Sequence, residues 1–276
     1  MQRTEALVVG AGPTGTVAAY RLAQMGIDVT LCEAAASCAH DLRASTIHAP
    51  TLEMLDELGV AGELIERGLK APVYHLRERR TGRVIAFDMS ELADRTRFPY
   101  RLQCEQYYLA MALAKRLQEH PRARVLFSTR AIGVTQNGVE AIATVERDSK
   151  REEIAADFII GADGAHSVVR KSLDVTFDGF TYEEKFVSLS TAFPIEEVIP
   201  DIAYVNYISD PEEWLCGAYS SRRRAPPAMR SSFRTRTLRP SSAASSATVR
   251  SRRPTEPSIA FTRESPPPSS GAASRS

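Results

Sequence analysis

Residues 5–15 read Glu5-Ala6-Leu7-Val8-Val9-Gly10-Ala11-Gly12-Pro13-Thr14-Gly15, an apolar run that breaks into three glycines spaced G-x-G-x-x-G. Glu5 to Gly10 predicts a short buried strand, with Leu7, Val8 and Val9 running straight into the glycines. Thr16 to Met25 predicts a helix ended by Gly26, and Ile27 to Leu31 a second strand closing on Cys32-Glu33. Strand, glycine turn, helix and strand within about thirty residues form the opening unit of a Rossmann-like α/β fold that binds dinucleotides. Gly10 permits the tight turn, Gly12 lets a pyrophosphate approach the backbone, and Gly15 lets the helix pack on the sheet. The helix then points its unsatisfied N–H groups and positive dipole end at the phosphates. Glu33, 18 residues after Gly15, is placed to accept hydrogen bonds from a ribose diol.

Outward from this unit, Arg43 stands just before a predicted helix over Thr46 to Gly59, near the expected mouth of the nucleotide cleft. Val73 to Leu76 and Arg83 to Phe87 alternate as a hairpin about Arg80-Thr81-Gly82. Gln103 precedes a long helix predicted from Glu105 to Gln118, buried along Leu109, Leu113, Ala114 and Leu117. Residues 124–128, 131–136, 139–146 and 152–157 read as an antiparallel meander inserted in the nucleotide domain, with Asn137-Gly138 as a two-residue hairpin turn. Phe158 to Gly161 predicts another buried strand, ending in Ala162-Asp163-Gly164 with a short helix after it, which repeats the logic of the opening turn. From Phe177 the pattern shifts to strands rich in Phe, Val, Tyr and Ile, the start of a second, sheet-based domain.

Hydrophobic and charged shares of 43% and 25% are those of a globular chain, and no apolar run reaches the length of a membrane span, so a cytoplasmic body is expected. Cys32, Cys38, Cys104 and Cys216 form no C-x-x-C, and the five histidines are scattered, so no metal is expected. The net charge of +1 conceals an asymmetry: residues 221–276 carry twelve Arg, no Lys and two Glu, leaving −9 on residues 1–220. An acidic body argues against nucleic acid as a partner.

Three elements together resemble one family. They are Gly10-Ala11-Gly12-Pro13-Thr14-Gly15 with Glu33, Arg43 followed by the helix ending Glu57-Leu58-Gly59, and Gly161-Ala162-Asp163-Gly164-Ala165-His166-Ser167-Val168-Val169-Arg170. The last is similar to the Asp-Gly motif of single-component FAD-dependent aromatic hydroxylases, the p-hydroxybenzoate hydroxylase-like flavoprotein monooxygenases. The resemblance covers about residues 4–216. It implies FAD as cofactor, NADH or NADPH as co-substrate, and a small aromatic, usually phenolic, substrate hydroxylated with O2. It also implies roles. Gly10, Gly12, Pro13, Thr14 and Gly15 would cradle the FAD pyrophosphate, and Glu33 would hold the adenosine ribose. Arg43 and Gln103 would contact the cofactor, and Asp163 with Gly164 would help hold it, Arg170 supporting that turn by charge pairing. The 73–87 strands and the sheet from Phe177 would line the substrate. No catalytic acid or base is assigned, because the flavin carries the hard step.

The domain division that follows is 1–175 for FAD, with a substrate-side hairpin at 73–98, then an incomplete substrate domain at 176–217 and a tail at 218–276. The family's late Gly-Asp segment is missing. Fourteen Ser, twelve Arg and eight Pro fill residues 221–276, a composition that predicts disorder. The abrupt change and the disappearance of lysine suit a GC-rich gene read in the wrong frame from near Gly217, so a truncated enzyme is expected. Two alternatives stay open: a non-catalytic nucleotide-binding fragment, and a non-hydroxylating FAD oxidoreductase of the same group. Oligomeric state is not readable from the sequence.

Overall fold

The computed structural model describes residues 1–40, 44–181, 186–191, 193–211, 213–218 and 231–237. The opening unit forms as β1 (Gln2–Val9), α1 (Pro13–Gln24) and β2 (Val29–Cys32). After it come β3 (Thr46–Ile47), α2 (Ala49–Glu57), α3 (Ala61–Arg67), β4 (Leu69–Ala71), β5 (Val73–Glu78) and β6 (Val84–Asp88). The chain continues through β7 (Arg101–Gln103), α4 (Gln106–Glu119), β8 (Ala123–Leu126), β9 (Arg130–Gln136), β10 (Ala141–Arg147), β11 (Lys150–Gly161) and α5 (Val168–Ser172). The last described strands are β12 (Phe186–Thr191), β13 (Val205–Ser209), β14 (Glu213–Ala218) and β15 (Ser231–Thr237).

The first sheet runs β8-β2-β1-β11-β10-β9. Its β8, β2, β1 and β11 are mutually parallel, while β11, β10 and β9 are antiparallel. Within it β1 and β2 are buried on both faces, which is why Leu7-Val8-Val9 is continuously apolar rather than alternating. Val8, Leu31, Ala19 and Leu117 pack between the sheet and helices α1 and α4. Leu7, Val9, Val145, Ile154 and Val169 fill the opposite face. A third core joins α2, α3 and α4 to the small sheet β3-β7-β4, through Leu52, Leu64, Leu102 and Leu113.

Several expectations are corrected here. Thr46 and Ile47 pair with Gln103 and Leu102 as a strand, and the helix begins only at Ala49. Pro50 explains this boundary, since proline fits the first turn of a helix and not its interior. Residues 124–128 do not open the meander; β8 is a parallel edge strand beside β2, reached by the crossover through α4. The 152–157 and 158–161 segments are one twelve-residue strand, β11. Nor is the 158–161 segment uniformly buried, for Phe158 is 74% exposed. It sits opposite Ala6 of β1. Helix α3 was not anticipated at all. Within the tail expected to be disordered, Ser231–Thr237 forms a strand paired with both β12 and β14.

The second sheet runs β12-β15-β14-β13-β5-β6. The β5–β6 hairpin joins it through a parallel pairing of β5 with β13, so the 73–87 strands do share a sheet with those after Phe177. Arg77 fixes this join: its Nε donates to Asn206 Oδ1 at 3.1 Å and its Nη2 to the Asp201 carbonyl at 2.7 Å. No helix among the described residues is long and apolar enough to cross a membrane.

Candidate functional site

The carboxyl ends of β1 and β11 lie side by side, and both glycine turns open there. Gly10 has φ +104, and a Cβ on it would lie 2.4 Å from the Ala162 carbonyl oxygen. A Cβ on Gly15 would lie 1.9 Å from the Gly10 carbonyl oxygen. These two glycines therefore weld the first turn to the helix behind it and to the second turn beside it. Gly12 is different: a Cβ there would meet nothing within 4 Å. It is the N-cap of α1 in extended conformation, and no side chain caps the helix. The first turn of α1 thus keeps unsatisfied N–H groups beside open space, the arrangement that takes an anion.

Glu33 sits at the end of β2 as expected, but its carboxylate is already used. Oε2 accepts from the Ala11 N–H at 2.8 Å and Oε1 from the Ala35 N–H at 2.9 Å. It clamps the glycine turn to the loop after β2, and its remaining lone pairs leave room for a hydroxyl donor. Beneath the turn, Cys32 accepts the Gly10 N–H at its carbonyl, 2.8 Å away. Burial pushes the Cys32 thiol up to about 12, with smaller contributions from the Glu33 and Asp163 charges.

Asp163 also spends its oxygens locally. Oδ1 accepts from Ser167 Oγ at 2.6 Å and Oδ2 from the Val168 N–H at 2.6 Å. Ser167 Oγ in turn accepts the Arg170 N–H at 3.0 Å, which completes the cap of α5. Gly164 follows with φ +78 and open space at its Cα. Arg170 does not pair with Asp163: its guanidinium lies over the Phe177 ring at 4.5 Å, and its Nε and Nη1 are buried without partners. An aromatic face competes for the planar guanidinium because the acid is engaged by closer donors.

Gln103 lies apart from these turns, on β7 of the small sheet. It is 3% exposed; its Oε1 accepts from Thr46 Oγ1 at 3.0 Å, and its Nε2 is buried with no partner. Arg43 lies outside the described residues. A cleft of about 730 Å³ opens beside the α1 N-terminus, lined by Pro13, Thr14, Val17, Thr46, His48 and Gln106 among others. Sequence reasoning gave no role to His48, which lines this cleft, or to Arg101, which lies on β7 two residues before Gln103. Only the alternation Arg101-Leu102-Gln103 could have hinted at the last of these, since it puts Arg101 on the Gln103 face.

The sequence profile of the FAD binding domain family matches residues 3–262. The chain belongs to the FAD binding domain family. The match runs beyond the 4–216 span expected from the motifs, into the Ser/Arg-rich tail. Among curated relatives, para-nitrophenol 4-monooxygenase of Pseudomonas sp. (strain WBC-3) is 28% identical over 210 residues, covering 75% of this chain and 51% of that protein. The 6-hydroxy-3-succinoylpyridine 3-monooxygenase HspB of Pseudomonas putida (strain DSM 28022 / S16) is 30% identical over 193 residues, covering 70% and 49%. The chain spans about half the length of these two relatives. Among solved structures, p-nitrophenol 4-monooxygenase PnpA of Pseudomonas putida DLL-E4 shares the fold with a TM-score of 0.78 at 22% identity, over 88% of this chain and 60% of that one. The flavin-dependent monooxygenase PieE gives 0.73 at 20% identity, over 88% and 44%.

Proposed function

We propose that this chain is the nucleotide-binding part of a cytoplasmic FAD-dependent monooxygenase that hydroxylates a small phenolic substrate with NADH or NADPH and O2. The observation that carries the reading is the uncapped α1 N-terminus with open space over Gly12, set beside a family match to FAD-binding domains. The buried, unpartnered Gln103 Nε2 supports it, because a buried donor without an acceptor is costly and a cofactor oxygen would supply one.

In this reading Gly10 and Gly15 hold the turn in shape, while Gly12, Pro13 and Thr14 present the helix amides to the pyrophosphate. Glu33 keeps its two backbone donors and takes a ribose hydroxyl. Gln103, Arg43, Asp163 and Gly164 complete the FAD contacts. Residues 1–175 form the FAD-binding domain, the 73–98 segment being its substrate-side hairpin, and residues 176–217 begin the substrate domain. When bound, the flavin supplies hydride acceptance and oxygen activation; the protein supplies orientation and a dry pocket. Purified protein with flavin absorbance near roughly 450 nm, whose oxidation of NADH or NADPH rises with added phenols, is the expected result. Bound flavin with no phenol-dependent turnover favours a second reading, a flavin-binding chain without catalysis. The Ser/Arg/Pro-rich composition after Gly217 speaks for that alternative. A colourless protein that does not take up added FAD would falsify both.

A further inference from the structure

One polar strip connects the nucleotide-binding part to the second sheet. In the β3–β7 ladder Thr46 lies opposite Gln103 and Ile47 opposite Leu102, so His48 falls beside Arg101. Alternation sends Leu102 fully into the core and puts Arg101 and Gln103 on the other face. From there Arg101 reaches the second sheet. Its Nη1 donates to the Tyr207 hydroxyl on β13 at 2.9 Å, and its guanidinium carbon lies 3.8 Å from the centre of the Tyr74 ring on β5. Tyr74 stacks in turn on Phe87 of β6, with 4.7 Å between ring centres and 5° between planes. An aromatic pair holds the guanidinium flat, and a phenol hydroxyl sets its direction.

What Arg101 lacks is a counter-charge. Its Nε is buried with no hydrogen-bond partner, and no acidic side chain contacts it among the described residues. Arg77, close by on β5, shows the contrast, for its guanidinium is paired with Asp201 at 3.2 Å. His48 does not share the charge: burial, and then Arg101 itself, hold its pKa below the ordinary histidine value. A half-buried cation with one N–H unpaired is costly, and stacking on Tyr74 recovers only part of that cost. A planar fork of donors fits a carboxylate or an oxyanion best.

We propose that Arg101 is the anion-recognition residue of the substrate site and takes the carboxylate of an aromatic acid at the junction of the two sheets. The proposal rests on the hydroxylase reading for the word substrate, and its test does not depend on that reading. The thermal shift of the full chain is measured with 4-hydroxybenzoate and with neutral 4-hydroxybenzamide, each with and without FAD. The benzoate is expected to act at about tenfold lower concentration than the amide. Arg101→Gln is expected to erase that preference and Arg101→Lys to keep part of it, while FAD affinity by flavin fluorescence stays within about twofold. An unchanged preference in Arg101→Gln overturns the proposal, as does a wild-type protein with no preference. A parallel loss of FAD affinity overturns it too, and makes Arg101 a cofactor residue. Should Arg101→Gln give no folded protein, Tyr207→Phe is read instead. A preference reduced about threefold or more supports the assignment, and an unchanged one overturns it. A chain that takes no FAD removes the flavoprotein reading, yet the benzoate-over-amide ratio measured without FAD still decides the site.

Discussion

The two glycine turns at the carboxyl ends of β1 and β11 look alike in sequence and differ in how each helix start is satisfied. After β1, helix α1 begins at Gly12 with no side-chain cap, and the space over Gly12 is open. After β11, helix α5 begins at Ser167, and Asp163 and Ser167 between them take up its first N–H groups. One turn is left unfinished and the other is closed by its own chain. An acidic residue at the end of a strand is therefore not by itself a ligand contact. Glu33 and Asp163 both serve backbone donors first, and of the two turns the α1 end is the one with no side-chain cap among the described residues.

The harshest way to break the comparison is Gly15→Ala, which drives a Cβ into the Gly10 carbonyl at 1.9 Å. The expected loss is about 4 kcal/mol or more, read as insoluble protein or a collapsed urea midpoint. Alkaline pH is next. Cys32 titrates at about 12 in the folded chain against 9.0 unfolded, so between these values the unfolded state sheds a proton that the folded state keeps. Stability is then fully present below pH 9 and falls as pH rises towards 12, by about 1.4 kcal/mol per pH unit for one such thiol. Cys104, likewise raised by burial to about 12, adds a second share, and Cys32→Ala flattens the slope by one thiol in urea titrations across that window.

Asp163→Ala removes the cap of α5 and is expected to lower stability by about 1–2 kcal/mol, measured by thermal unfolding without added flavin. A variant as stable as wild type would show that the closed turn does not need its acid. Gly12→Ala is the gentlest on the fold. Its φ of −72 suits any residue and its Cβ meets nothing, so stability stays within about 0.5 kcal/mol. FAD affinity is expected to weaken about tenfold, because the methyl group occupies the pyrophosphate's path. Unchanged affinity would move the phosphate site away from α1.

The opening unit was readable because each of its parts is local: an apolar run, glycines at fixed spacing and an acid at the end of the next strand. The hairpin at 73–87 was readable for the same reason. What escaped depends on pairings between distant residues. That β8 lies parallel to β2 follows from where α4 packs, and no local pattern marks Phe158 as the bare residue of its strand. The meeting of Arg101 with Tyr207 joins positions 106 residues apart through a register that no local pattern encodes. Arg170 was expected to pair with Asp163, yet the short donors of Ser167 and Val168 had already claimed that acid.

Strand β1 is made first and waits longest. Its outer neighbour β2 follows within a few dozen residues, but its other edge pairs only with β11, Gln2 meeting Ile154 and Val9 meeting Gly161. On a ribosome adding ~5–20 residues per second, that edge stays bare for roughly ten seconds or more. Its open amides and the Leu7-Val8-Val9 side chains are then a template for any other extended chain. Closing so long a loop is also slow in refolding from denaturant. The nascent chain is consequently most exposed to misassembly before residue 161 emerges, and a chaperone that shields the first strand over that interval would govern its yield.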